Sequence, residues 1–405
     1  MMLKKIAFLS ITNISGPILA FISLPFITRL YNVDHLGSYH WILTLGMLGS
    51  IFLGFQVYNG LLSELNEEDL KRKFYANIAL VLLSSIILIL VGVIGFFINF
   101  LSLLDIISVY FISLTTVFNL IFMTYFSRIS LVNVLAKVTF IKSTVTIFFS
   151  ISLSFLIGSS VEYLVISYLL GELSVMYFLF LPEFKFNKKK LVLGFEDQKY
   201  LFCSDGEFAR FYLPSQLLST FMNSAMIFFI KFHSVSLLGI YSILFRLIAV
   251  PTYSVANAVK SIFYINFIKI ENDKIKYLIL IVLCCYVFSL TVSSMYFLLD
   301  LKFISYYLGS DFYRADEYFP YFVFWVFTSF TNIFPIEILK NSNRNKSVFL
   351  GEIFTSLLKL LVLIYIYSIN FNCDLLKVIP LFFGVINLIV IVFYIFESWC
   401  VFNKK

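Results

Sequence analysis

The chain is poor in charge. Only 13% of its 405 residues are Asp, Glu, Lys or Arg, about half the share a soluble domain carries. It is also poor in long polar segments, the longest running from Pro182 to Glu207. These deficits exclude the two or three soluble domains that such a length would otherwise predict. Histidine is scarce: His35, His40 and His233 are the whole complement, and none stands in an HExxH pattern, which removes support for zinc chemistry. Cys203, Cys284, Cys285, Cys373 and Cys400 lack metal-ligand spacing and read as inert thiols.

What fills the chain is apolar. Hydrophobic residues make up 60% of it, with 50 Phe and 25 Tyr, and the mean hydropathy is +0.95. Runs long enough to cross a bilayer fall near 6–28, 38–59, 75–97, 106–126, 138–157, 162–181, 208–230, 239–267, 277–299, 317–339, 348–369 and 377–399. The expectation is an all-α polytopic membrane protein of about twelve transmembrane helices. With the N-terminus in the cytoplasm, twenty Lys and Arg lie on the cytoplasmic side and five, including Arg29 and Lys231, on the other. That bias sets both termini in the cytoplasm and accounts for the net charge of +7 without nucleic acid. The first apolar run lacks a small-residue cleavage site and reads as a retained helix.

The segment 182–207, with Lys188, Lys189 and Lys190, lies at mid-chain. It divides the protein into a six-helix lobe at 1–181 and another at 208–405. An internal echo supports the division. Phe26-Ile27-Thr28-Arg29 and Leu36-Gly37-Ser38-Tyr39 answer to Phe228-Phe229-Ile230-Lys231 and Leu238-Gly239-Ile240-Tyr241, 202 residues later. In each, a helix ends on a cation, a short loop follows, and Leu-Gly-x-Tyr begins the next helix. Parallel repeats of this kind place a substrate site between two lobes.

Five charges sit inside spans: Lys142, Glu172, Arg246, Glu352 and Lys359. Each costs roughly 2.5–3.5 kcal/mol against lipid, so some must meet water or one another. Lys142, near the cytoplasmic end of its span, is able to snorkel. Glu352, Ser356 and Lys359 share one face of the eleventh span. In the eighth, Ser242, Arg246, Tyr253, Asn257, Lys260 and Tyr264 form one stripe, with a kink expected at Pro251. The set reads as the wall of a lumen that is cationic on balance and suited to a phosphate or diphosphate head group. Glu172 and Glu352 admit two readings, a proton or Na⁺ coupling site or neutralisation of Lys142 and Lys359. Gly46, Gly49, Ser50 and Gly54 predict close packing of the second span. Asn13, Ser15, Gly16 and Pro17 mark a bend in the first.

Taken in order, Pro25 to Leu30, Leu36 to Tyr39, Leu213-Pro214, Leu238 to Tyr241, Phe245 to Pro251 and Tyr307 to Phe312 resemble the Wzx-type polysaccharide flippases. These belong to the multidrug/oligosaccharidyl-lipid/polysaccharide (MOP) exporter superfamily. The resemblance implies two six-helix lobes around a central cavity, as in multidrug exporters of the MATE type. It implies movement of an undecaprenyl-diphosphate-linked oligosaccharide across the bacterial inner membrane for O-antigen or another surface polysaccharide. The mechanism expected is alternating access coupled to H⁺ or Na⁺, with no bound cofactor. The polysaccharide polymerase and chain-length regulator are the expected protein partners. Arg29 and Arg246 carry over as cationic positions, whereas Lys142, Lys260 and Lys359 rest on spacing alone. An ion-coupled multidrug exporter is the alternative, but its cavity should be acidic. A lipid II flippase should have two more helices. A major facilitator should carry Gly-x-x-x-Asp-Arg-x-Gly between spans two and three, where this chain reads Gly60 to Lys73. A membrane polymerase or ligase should have a large external loop, and Asp300 to Asp316 is the longest here.

Overall fold

The computed structural model describes residues 2–61, 66–98, 100–129, 132–180, 188–198, 201, 211, 213–253, 274–298, 302–342, 344–368 and 374–402. Among the described residues, ten helices are long and apolar enough to cross a membrane, and Ser15–Leu30 and Leu217–His233 are shorter apolar helices. Together they match the twelve expected spans one for one. The protein is a multi-pass, all-helical membrane protein.

Its helices fall into two compact units: Met1–Ser23 with Ser38–Ser224, and Leu24–Gly37 with Ala225–Lys405. The first unit is built on α1 (Met2–Leu30), α2 (Val33–Gly54), α3 (Glu67–Phe97), α4 (Leu103–Arg128), α5 (Val132–Leu156) and α6 (Val161–Val175), the last continuing into a π-helical turn at Met176–Phe180. Asn66 caps α3 by accepting from the Glu68 amide at 3.0 Å, and three acids occupy its first turn, where the helix dipole favours them. Ser102 and Asp105 form a capping box on α4. Phe74 packs with Phe122 and Tyr125, ring centroids 5.3 and 4.5 Å apart. The small residues of α2 seat α4: carbons added at Gly46 and Gly54 would fall 2.8 Å from Ile112 Cβ and Val117 Cγ2. The helix α1 runs unbroken through Gly16 and Pro17.

The mid-chain segment, expected as loop, contains a short helix, α7 (Lys188–Glu196). It docks on the start of α3. Gly194 lies against the Tyr75 carbonyl, Gln198 donates to Ala76 O at 3.0 Å, and Arg72 forks onto Asp197. That hydrogen bond holds the Asp197 carboxyl below the usual carboxylate range. The docked helix borders a 370 Å³ cleft lined by Glu68, Arg72, Tyr75, Leu193, Glu196 and Asp197.

The second unit contains α8 (Leu213–His233), α9 (Val235–Leu244), α10 (Lys274–Leu298), α11 (Phe303–Leu308), α12 (Ala315–Asn341), α13 (Asn345–Ser368) and α14 (Leu375–Phe402). A π-helical turn at Phe245–Ala249 extends α9, and the Val250 amide bonds the Phe245 carbonyl. This irregularity immediately precedes Pro251, which has no amide hydrogen to give.

The expected loops between spans one and two, and seven and eight, are shorter than their polar residues imply, because those residues cap helices. The Asn32 side chain accepts from the His35 amide at 2.8 Å, and Ser234 from the Leu237 amide at 3.3 Å. The starts of α2 and α9 then cross through their glycines. A carbon added at Gly37 would clash with the Val235 carbonyl and lie 3.0 Å from Gly239 N. One added at Gly239 would clash with the Val33 carbonyl. Ser236 donates to Asp34 Oδ1 across the same crossing at 2.5 Å. Each contact pairs positions of the 202-residue repeat, so the repeat is a reciprocal, two-fold contact. Nearby, Thr28 Oγ1 donates to Leu308 O at 2.7 Å.

Backbone-to-backbone contact leaves no side chain to yield. Gly239→Val should therefore cost about 1–3 kcal/mol and lower the melting temperature of the purified protein. Gly95→Ala, whose new carbon would meet Leu101 at an ordinary 3.4 Å, should leave it unchanged or slightly raised. Equal melting of the two variants would refute the tight crossing.

Candidate functional site

In the first unit, α5 and α6 approach closely because Gly171 presents no side chain. A carbon there would lie 3.0 Å from the Lys142 carbonyl and against Thr146. Gly16 brings α1 to the same place, 2.8 Å from Thr139 O by the same measure. This proximity lets Lys142 reach Glu172. Lys142 Nζ lies 2.5 Å from Glu172 Oε1 and 4.8 Å from the Tyr168 ring centroid. Glu172 is 2% exposed. Asn119 of α4 donates to its backbone carbonyl at 3.1 Å and to its carboxylate. The lysine therefore does not snorkel. Its charge is met inside the bundle, where a carboxylate satisfied by two donors is a stronger partner than distant headgroups. Of the two readings of Glu172, neutralisation is the arrangement present.

In the second unit, Lys359 of α13 lies with Nζ 5.2 Å from the Phe383 ring centroid. Trp325 of α12 packs edge-on to that ring at 6.0 Å and meets Tyr241 at 6.4 Å. One turn after Phe383, Asn387 donates to Ser329 Oγ at 2.8 Å and to Thr328 Oγ1 at 3.3 Å. Trp325 Nε1 and Asn332 Oδ1 are buried without hydrogen-bond partners among the described residues. Glu352 acts on Lys359 electrostatically, but among the described residues the two form no ion pair. Two turns of one helix put them too far apart for direct contact.

The remaining predicted positions are distributed. Arg246 is half-buried within the π-helical turn of α9. Arg29 is exposed at the end of α1, its Cγ 3.8 Å from a carbon built on Gly309. Lys260, with Asn257 and Tyr264, lies outside the described residues, so the lower half of the eighth-span stripe is undescribed. Sequence reasoning missed Asn119, Tyr168, Phe383 and Asn387. The spacing of Tyr168 and Glu172, and of Phe383 and Asn387, was a usable signal, since residues four apart share a helix face.

The sequence model of the polysaccharide biosynthesis protein family matches residues 26–315. Among solved structures, the chain is similar to the lipid II flippase MurJ in an inward closed conformation. They are 15% identical with a TM-score of 0.59, and the match covers 96% of this chain and 87% of that one. It is similar to an inward-facing multidrug resistance MATE transporter of the MOP superfamily at 12% identity and a TM-score of 0.56, covering 99% and 95%. A second MATE structure, in complex with MaD3S, gives 14% and 0.57, covering 99% and 97%. The fold is therefore the MATE-like fold that the sequence led one to expect, and MurJ shares it. No curated protein matches the sequence.

Removing one member of the Lys142–Glu172 pair strands the other. Glu172→Gln should cost about 3 kcal/mol, while Lys142→Met with Glu172→Leu should recover most of it. A double-mutant cycle on melting in detergent checks this, and additive losses would show that the pair is not coupled.

Proposed function

The chain belongs to the polysaccharide biosynthesis protein family, and we propose that it is a flippase for a lipid-linked oligosaccharide. The substrate is an undecaprenyl-diphosphate-linked repeat unit, carried from the cytoplasmic to the periplasmic leaflet of the bacterial inner membrane by alternating access. Both termini lie in the cytoplasm, and the product feeds O-antigen or another surface polysaccharide through the polymerase and chain-length regulator.

The family match carries this reading, because it joins polysaccharide synthesis to a chain whose apolar helices have the MOP fold. The charges within the spans favour it over a multidrug exporter. Lys142 and Glu172 cancel as a pair, which leaves Arg246 and Lys359 against Glu352. A net cationic interior suits a diphosphate and repels a cationic drug.

Deleting the protein should make the undecaprenyl-diphosphate repeat unit accumulate unpolymerised while surface polysaccharide disappears. Extraction of lipid-linked saccharides reads this directly. Arg246→Ala should lose surface polysaccharide at unchanged protein level, and Arg246→Lys should restore it in part. Unchanged polysaccharide with raised drug sensitivity after deletion would assign the protein to multidrug export instead.

A further inference from the structure

Lys142 and Lys359 belong to one constellation built twice. Each projects from the fifth or eleventh span over an aromatic ring of the next, Tyr168 or Phe383. Four residues beyond that ring stands a polar residue, Glu172 in one case and Asn387 in the other. Each is tied to the span two before its own, Glu172 to Asn119 and Asn387 to Ser329. The pairs Tyr168/Phe383 and Glu172/Asn387 share a single offset of 215 residues. The difference in charge is confined to the last position, a carboxylate in the first half and an amide in the second.

That difference decides what each lysine is free to do. Lys142 is neutralised in place at 2.5 Å. In the second half the position four beyond the ring is an uncharged amide, and among the described residues Lys359 makes no ion pair or hydrogen bond. It lies nine residues inside the nearer end of α13, about 14 Å deep at 1.5 Å per residue, beyond easy reach of either surface. Glu352 acts on it only from a distance, and an ammonium at that depth is stable only beside water or an anion. The buried Trp325 Nε1, which has no acceptor among the described residues, stands next to the same Phe383 ring. It adds a second donor awaiting an acceptor.

We propose that Lys359, backed by Phe383 and by the uncharged Asn387, binds the diphosphate of the transported lipid, and that Lys142 does not. The inference rests on the flippase reading and assigns its head-group contact to the second half alone. Asn387 is a positioning residue: its neutrality keeps the ammonium available.

The test uses the full-length protein in nanodiscs, with farnesyl diphosphate, farnesol and inorganic pyrophosphate as probes and tryptophan fluorescence as readout. Wild type should bind farnesyl diphosphate more tightly than farnesol. Lys359→Gln should weaken it by about tenfold, the loss of one charge-assisted contact, and Lys359→Arg should retain most of it. Asn387→Asp leaves Lys359 in place but supplies the first half's carboxylate, and should weaken binding equally. The double variant Lys142→Gln with Glu172→Gln should bind like wild type. Melting curves confirm that each variant is folded, and Asn387→Asp decides the matter should Lys359→Gln fail to fold. Pyrophosphate binding as tightly as farnesyl diphosphate would mark a free-phosphate site and overturn the lipid assignment. Full binding by folded Asn387→Asp, or loss in the Lys142 double variant, would overturn the inference. The flippase reading would survive either, since it fails only if deletion accumulates no lipid-linked saccharide.

Discussion

A charge within the hydrocarbon layer has no water to turn to, and this constraint organises the interior of the protein. Lys142 and Lys359 are each held over an aromatic ring, whose electron-rich face tempers the charge. In the first unit a buried carboxylate completes the neutralisation. The glycines follow from the same need. Lys142 meets Glu172 because Gly171 lets α6 settle on the backbone of α5. A side chain at that position would push the helices apart and strand both charges. The ion pair, the ring and the glycine are one device.

The membrane spans were legible because apolar runs of bilayer length have one stable outcome in lipid. The glycine crossing of α2 and α9 was legible as a repeat of Leu-Gly-x-Tyr, though not as a contact. Its meaning depends on backbone geometry that a sequence does not display. The helix starts were misplaced because Asn32 and Ser234 look like loop residues and serve as caps. Lys142 read as a snorkelling residue because its depth is visible along one helix. Its partner stands on another helix, 30 residues away. Spacing within a helix can be read from sequence, whereas pairing between helices needs the fold. The aromatic rings beneath the lysines were hidden for a further reason: 50 Phe and 25 Tyr make any one of them inconspicuous.

The two repeats agree where the backbone is in contact and differ where side-chain chemistry is exposed to choice. At the crossing, Gly37 faces the Val235 carbonyl as Gly239 faces that of Val33, and a two-fold contact of this kind forces both partners to be small at once. A side chain on either one breaks it, so neither can change alone. The lysine clusters carry no such obligation, because each closes within its own unit. One can keep its carboxylate and the other its amide, since each is tied to a neighbouring helix in its own way: Glu172 accepts from Asn119, and Asn387 donates to Ser329. The exchange removes a charge and reverses the hydrogen bond while keeping a tie to the neighbouring helix. A protein built from two similar halves can thereby hold one lysine neutralised and leave the other without a paired carboxylate, the asymmetry on which the proposed head-group contact rests.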